Sequence, residues 1–165
     1  MRKSNTDKLT YIALLTAMAT LLVAFPRVPN GLGGIIHTSD SIIYITAIFF
    51  GPIAGGFVGG VGHSVANVLF GPEIFAPWTL VIKAIMGLVV GLIAQGHIKG
   101  VKLWIALILS TVILVAAYFV ANGVIFSWEI GVAAIPALII QGVAGIVVTV
   151  VLLPIVNKIL GGNKL

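Results

Sequence analysis

Lys83 lies in the run 71 to 87, GPEIFAPWTLVIKAIMG, and is the only Asp, Glu, Lys or Arg between Glu73 and Lys99. An ammonium group inside a stretch that otherwise reads as a transmembrane helix has to be met by snorkelling, a water-filled cavity or a partner. Pro77 and Trp78 read as the start of that helix and its interfacial anchor, which puts the lysine near one face of the bilayer. The order of helices set out below brings Asp40, Glu73, Trp78, Asn122, Trp128 and Glu129 to the same end, with His37, His63, Asn67 and Tyr118 at similar or slightly deeper levels. His63 and Asn67 are four residues apart and share a helix face. A polar and aromatic end opposite a bland one is the pattern of a small-molecule pocket, with aromatic walls and a few polar groups that fix orientation.

Each of these residues also admits a plainer reading. Lys83 is either a ligand contact or half of a structural ion pair with Asp40 or Glu73. Trp78 and Trp128 are pocket walls or members of an interfacial belt, and Asp40 is a pocket group or a helix N-cap. His63 with Asn67 is a ligand pair or an interhelical hydrogen-bond pair, while Arg27 and Glu73 also fit solvated loop charges.

The elements that position these groups follow from composition. Of 165 residues 60% are hydrophobic and 8% charged, too little charge for a soluble domain of this size. Uncharged stretches run from 9 to 26, 41 to 72, 84 to 98, 103 to 128 and 130 to 157. A span needs about 20 residues, so the stretch from 41 to 72 holds two. The expected spans are 9–25, one from HTSD to Gly51, then 53–70, 78–95, 103–121 and 131–157. This is an all-α fold, a six-transmembrane-helix bundle forming a single membrane-embedded domain over 1–165. Thr38, Ser39 and Asp40 are candidate N-caps for the second helix. Gly55, Gly56, Gly59, Gly60 and Gly62 on the third, with Gly87 and Gly91 on the fourth, permit close backbone approach. Residues 26 to 37, PRVPNGLGGIIH, are breaker-rich and form a loop, either a surface crossing or a lid over a pocket mouth. Ala13, Ala17 and Ala19 leave a smooth strip on the first helix, which suits internal packing or docking of another membrane protein.

Six spans put both termini on one side. That side carries Arg2, Lys3, Lys8, Lys99, Lys102, Lys158 and Lys164 against Asp7, and the other Arg27 against Glu73 and Glu129. The positive-inside rule makes the termini cytoplasmic. The first hydrophobic segment lacks a small-residue cleavage site and is read as retained.

Several function classes fall away. The nine basic residues are scattered, so nucleic acid is not a partner. With no cysteine, thiol chemistry is absent. The three histidines do not form an HExxH set, and adjacent His63 and Ser64 do not face each other on a helix, so neither a metal site nor a hydrolytic pair is expected. No Walker motif is present, and any ATP-driven work needs partners. A small channel or an intramembrane enzyme remains the competing class, without the inverted halves of a secondary transporter.

The run DSIIYITAIFFGPIAGGFVGGVGHSVANVLFGP followed by APWTLVIKAIMGLVVGLIA resembles the substrate-capture S components of energy-coupling factor (ECF) vitamin transporters. The resemblance covers nearly all of the chain. It implies a multi-pass protein of the prokaryotic cell membrane that is not an enzyme and has no cofactor. It further implies six helices, cytoplasmic termini and substrate held at the outer side under the loop joining the first two helices. The implied partners are a transmembrane coupling protein and two ATPase subunits, with Ala13 and Ala17 matching the family's AxxxA contact to the coupling protein. The implied substrate is a small vitamin or precursor, pyridoxine-like or hydroxymethylpyrimidine-like, with riboflavin as the alternative. The substrate-binding residues would then be His37, Asp40, His63, Asn67, Glu73, Trp78, Lys83, Tyr118, Asn122 and Trp128. Related sequences often carry aspartate where this chain has Asn67, which exchanges a pure acceptor for a mixed donor and acceptor.

Overall fold

The computed structural model describes residues 5–25, 28–29 and 35–160. Arg27 and most of the glycine-bearing loop expected as a lid lie outside the described residues. Six helices follow one another: α1 (Asn5–Ala24), α2 (Asp40–Phe50), α3 (Pro52–Phe70), α4 (Ala76–Ala94), α5 (Val101–Ile125) and α6 (Trp128–Leu160), with a 3₁₀ turn at Glu73–Phe75 before α4. Between α1 and α2 a minimal antiparallel ribbon pairs β1 (Val28–Pro29) with β2 (Ile35–Ile36). The all-helical expectation therefore holds apart from this two-residue ribbon.

Five helices are long and apolar enough to cross a membrane, and α2, with 11 residues, is not. At 1.5 Å per residue α2 rises about 16 Å, roughly half a bilayer core of about 30 Å. The stretch 41 to 72 does divide in two, but unequally. Its break is at Gly51, whose φ of +93° disfavours any side chain, and at Pro52, which takes the first helical position of α3. Every residue of α2 from Asp40 to Phe49 is buried. It packs against α1, α3, α4 and α6, as expected of a helix apolar on all sides.

The glycines of α3 and α4 interlock. A β-carbon at Gly59 would lie 2.5 Å from the Lys83 carbonyl oxygen, and one at Gly87 would overlap the backbone of Gly55. Backbones this close gain dispersion contacts that larger side chains would forbid. They also fix the rotation of α4, and with it the direction in which Lys83 points.

Later boundaries differ from the sequence expectation. α5 continues through Asn122 to Ile125, and Trp128 and Glu129, expected in a loop, open α6. Pro136 and Pro154 lie inside α6, both on its exposed side. On α1, Ala13 and Ala17 are exposed while Ala19 is buried, 3.1 Å from where a Gly62 β-carbon would stand. Two of the three alanines therefore do not pack inside the bundle.

Candidate functional site

The start of α2, the end of α3, the start of α4, the end of α5 and the first half of α6 meet at one end of the bundle. Asp40, in the first turn of α2, is the centre of a closed polar knot. Lys83 Nζ donates to its Oδ1 at 2.5 Å, and Gln141 Nε2 from α6 donates to its Oδ2 at 3.1 Å. His63 Nε2 stands 3.5 Å from Oδ1. Asp40 and Lys83 are both 0% exposed. A lone buried charge would cost several kcal/mol, and here each cancels the other while an amide occupies the second carboxylate oxygen.

The capping expectation holds by position but not by side-chain bond. Ser39 is the N-cap by position, yet none of Thr38, Ser39 and Asp40 caps the helix through a side chain. The Ser39 hydroxyl instead lies between two imidazoles, 2.7 Å from His37 Nδ1 and 2.8 Å from His63 Nε2. A hydroxyl has one proton to give, so it donates to one ring and accepts from the other. A proton on His63 Nε2, facing the carboxylate, leaves Ser39 to donate to His37 Nδ1. His37, in the segment before α2, is held at about 3, below its ordinary value of 6.5, chiefly by burial and against the pull of Asp40. A neutral His37 is what an acceptor nitrogen requires.

A second, uncharged chain runs beside the knot. Asn67 Nδ2 donates to Thr79 Oγ1 at 2.7 Å, and Thr79 Oγ1 shares a hydrogen bond with the Tyr118 hydroxyl at 2.8 Å. Asn122 Nδ2 donates to the Tyr118 backbone carbonyl at 2.7 Å. Tyr118 joins the two groups, since Lys83 Nζ lies 5.6 Å from its ring centroid. Phe75 packs on the same wall, its ring 6.3 Å from Tyr118 and 5.9 Å from Phe126. Asn67, Tyr118 and His37 keep part of their surface accessible, unlike Asp40, His63 and Lys83.

Three expected site residues stand apart. Glu73 is exposed in the 3₁₀ turn. Trp128 is 55% exposed, its ring 5.6 Å from Phe119. Trp78 is half-buried and lines an open apolar groove between α4 and α5 with Val81, Ile85, Ile113 and Ala117. Conversely, the sequence reading took Ser39 only as a cap, and gave no role to Gln141, Thr79, Phe75 and Phe126. Two of these left a signal: Gln141 is a polar residue inside a span, and Thr79 is four residues from Lys83, hence on its face.

His37, Asp40 and His63 each offer a metal-ligand atom, all within 4.8 Å of one another. The cation beside the carboxylate is already the Lys83 ammonium, and the Ser39 hydroxyl already lies between the rings. The arrangement is that of a polar knot around a buried ion pair, with His63 Nδ1 left without a hydrogen-bond partner, next to an aromatic wall bearing amides and hydroxyls.

Known proteins share this architecture. The S component of a bacterial ECF transporter superposes with a TM-score of 0.76 at 23% identity, covering 95% of this chain and 99% of that one. The thiamine precursor transporter HmpT of Lactococcus lactis subsp. cremoris is 28% identical over 163 residues, 96% of this chain and 92% of the relative. An uncharacterized protein of Pyrococcus woesei is 33% identical over 131 residues, 79% of this chain and 86% of the relative. Residues 3–158 match the family described as ECF-type riboflavin transporter, S component. With nearly its whole length matched, the chain belongs to that family of multi-pass membrane S components.

Proposed function

We propose that this S component captures a hydroxymethylpyrimidine-like or pyridoxine-like vitamin precursor and delivers it through an ECF complex. The observation that carries the reading is the uncharged chain of Asn67, Thr79, Tyr118 and Asn122 beside the rings of Phe75 and Phe126. Ring faces accept a planar heteroaromatic by stacking, and amides with hydroxyls match its ring nitrogens and substituents. Likeness to HmpT over almost the full chain supports a thiamine precursor. A second reading, riboflavin, is favoured by the description of the matched family.

Within this reading the expected site residues act in tiers. His37, Asn67 and Tyr118 offer surface to the ligand, Asn122 is buried behind Tyr118, Asp40, His63 and Lys83 form the base beneath, and Glu73, Trp78 and Trp128 lie outside the contact surface at the rim. The chain passes through the membrane six times, the second passage being made by the short α2 together with the segment that leads into it, with both termini cytoplasmic and the site facing outward. Ala13 and Ala17, exposed on α1, form the docking strip for the transmembrane coupling protein, which works with two ATPase subunits. The chain itself binds and carries, and performs no catalysis.

Native mass spectrometry of the gently purified protein tests the substrate. A co-purified pyrimidine or pyridine alcohol is expected. A flavin, visible by its absorbance, would replace this reading with the second.

A further inference from the structure

We propose that the site selects for zero net charge, admitting a neutral or internally balanced ligand and rejecting its charged analogues. The inference rests on the reading above of a small vitamin precursor as substrate. Among the described residues the only buried formal charges are Asp40 and Lys83, and they are spent on each other. Asp40 has its second oxygen taken by Gln141, and both side chains are fully enclosed, so neither reaches a charge brought by the ligand. Among the described residues the accessible polar groups here are the Asn67 amide, the Tyr118 phenol and the His37 imidazole, which is neutral as a hydrogen-bond acceptor from Ser39. The charged groups of the neighbouring turns, Glu73 and Glu129, are exposed and both acidic, so nothing there compensates an anion. A cation placed beside Tyr118 would meet the Lys83 ammonium, which already lies over that ring. Either sign of net charge would enter a low-dielectric site without a partner, a cost that a neutral isostere avoids.

The test holds size constant and varies charge. The full chain in lipid nanodiscs is titrated at neutral pH, where the amine is charged, with hydroxymethylpyrimidine and with the analogues carrying carboxamide, carboxylate or aminomethyl in place of the hydroxymethyl group. The alcohol and the carboxamide should bind within about tenfold of each other, and the carboxylate and the amine about 100-fold or more weaker. A carboxylate or an amine that binds as tightly as its neutral isostere overturns the proposal while leaving the substrate class standing. If only riboflavin or pyridoxine binds, the pyrimidine reading fails, and each of those compounds against its own phosphate ester decides the charge rule by the same criterion. Binding of none of them overturns the substrate reading and the proposal together.

Discussion

The knot around Asp40 and the chain through Thr79 are neighbours joined by Tyr118, yet they are built on opposite terms. In the knot, charges from α2 and α4 are sealed at 0% exposure and paired with each other. In the chain, neutral groups from α3, α4 and α5 hold one another, and Asn67 and Tyr118 keep part of their surface reachable. Groups with no accessible surface fix the geometry of five converging segments, and groups with spare surface can exchange partners with a ligand. The difference separates what holds the site from what reads the substrate.

Breaking the knot should give the largest effect. Lys83→Met leaves a buried carboxylate without its cation and should cost about 3–5 kcal/mol of stability, read as a lower melting temperature of the ligand-free protein. Adding Asp40→Asn to that variant should restore much of the loss, because removing both charges leaves no orphan. In the chain, Asn67→Ala or Tyr118→Phe should cost about 1–3 kcal/mol of binding in titration calorimetry, the range for an unmatched buried polar group, with little change in the melt. A large melting shift with unchanged affinity would assign these residues to the knot's kind instead.

On α1, Ala13→Leu with Ala17→Leu should sharpen the comparison from outside. Both alanines are exposed, so ligand binding by the isolated chain should persist while recovery of the complete complex in pull-down falls. Lost binding with normal assembly would make the strip part of the bundle's packing. The smallest effect concerns His37. Its folded value, about 3, lies below the ordinary 6.5. Between those values the unfolded chain binds a proton that the folded chain does not, so stability should decline modestly as pH falls below about 6.5. His37→Gln should flatten that part of a melting profile against pH.

Much of this was legible in the sequence because membranes leave few options. Spacing of small residues at Gly55, Gly59, Gly87 and Gly91 announced close backbone approach, though not which helices would meet, and a lysine inside a span announced a partner. The partner's identity was not legible. Asp40 and Glu73 were equal candidates for Lys83 until the close backbone contact at Gly59 fixed the rotation of α4. The brevity of α2 was hidden too, since its 11 residues read as apolar as any span and only the surrounding helices reveal it as a buried core. Ser39 does occupy the N-cap position, but its hydroxyl was expected on the backbone and is taken instead by His37, two residues before it, and by His63 of α3.

The most direct test of the division between knot and chain is ligand titration of the Asp40→Asn, Lys83→Met double variant beside Asn67→Ala, each with a melt of the ligand-free protein. The account predicts that the double variant keeps affinity within about tenfold of the parent while Asn67→Ala loses binding without losing stability. A double variant that melts like the parent but no longer binds, beside an Asn67→Ala protein that binds normally, would contradict it and make the buried pair itself the reader of the substrate.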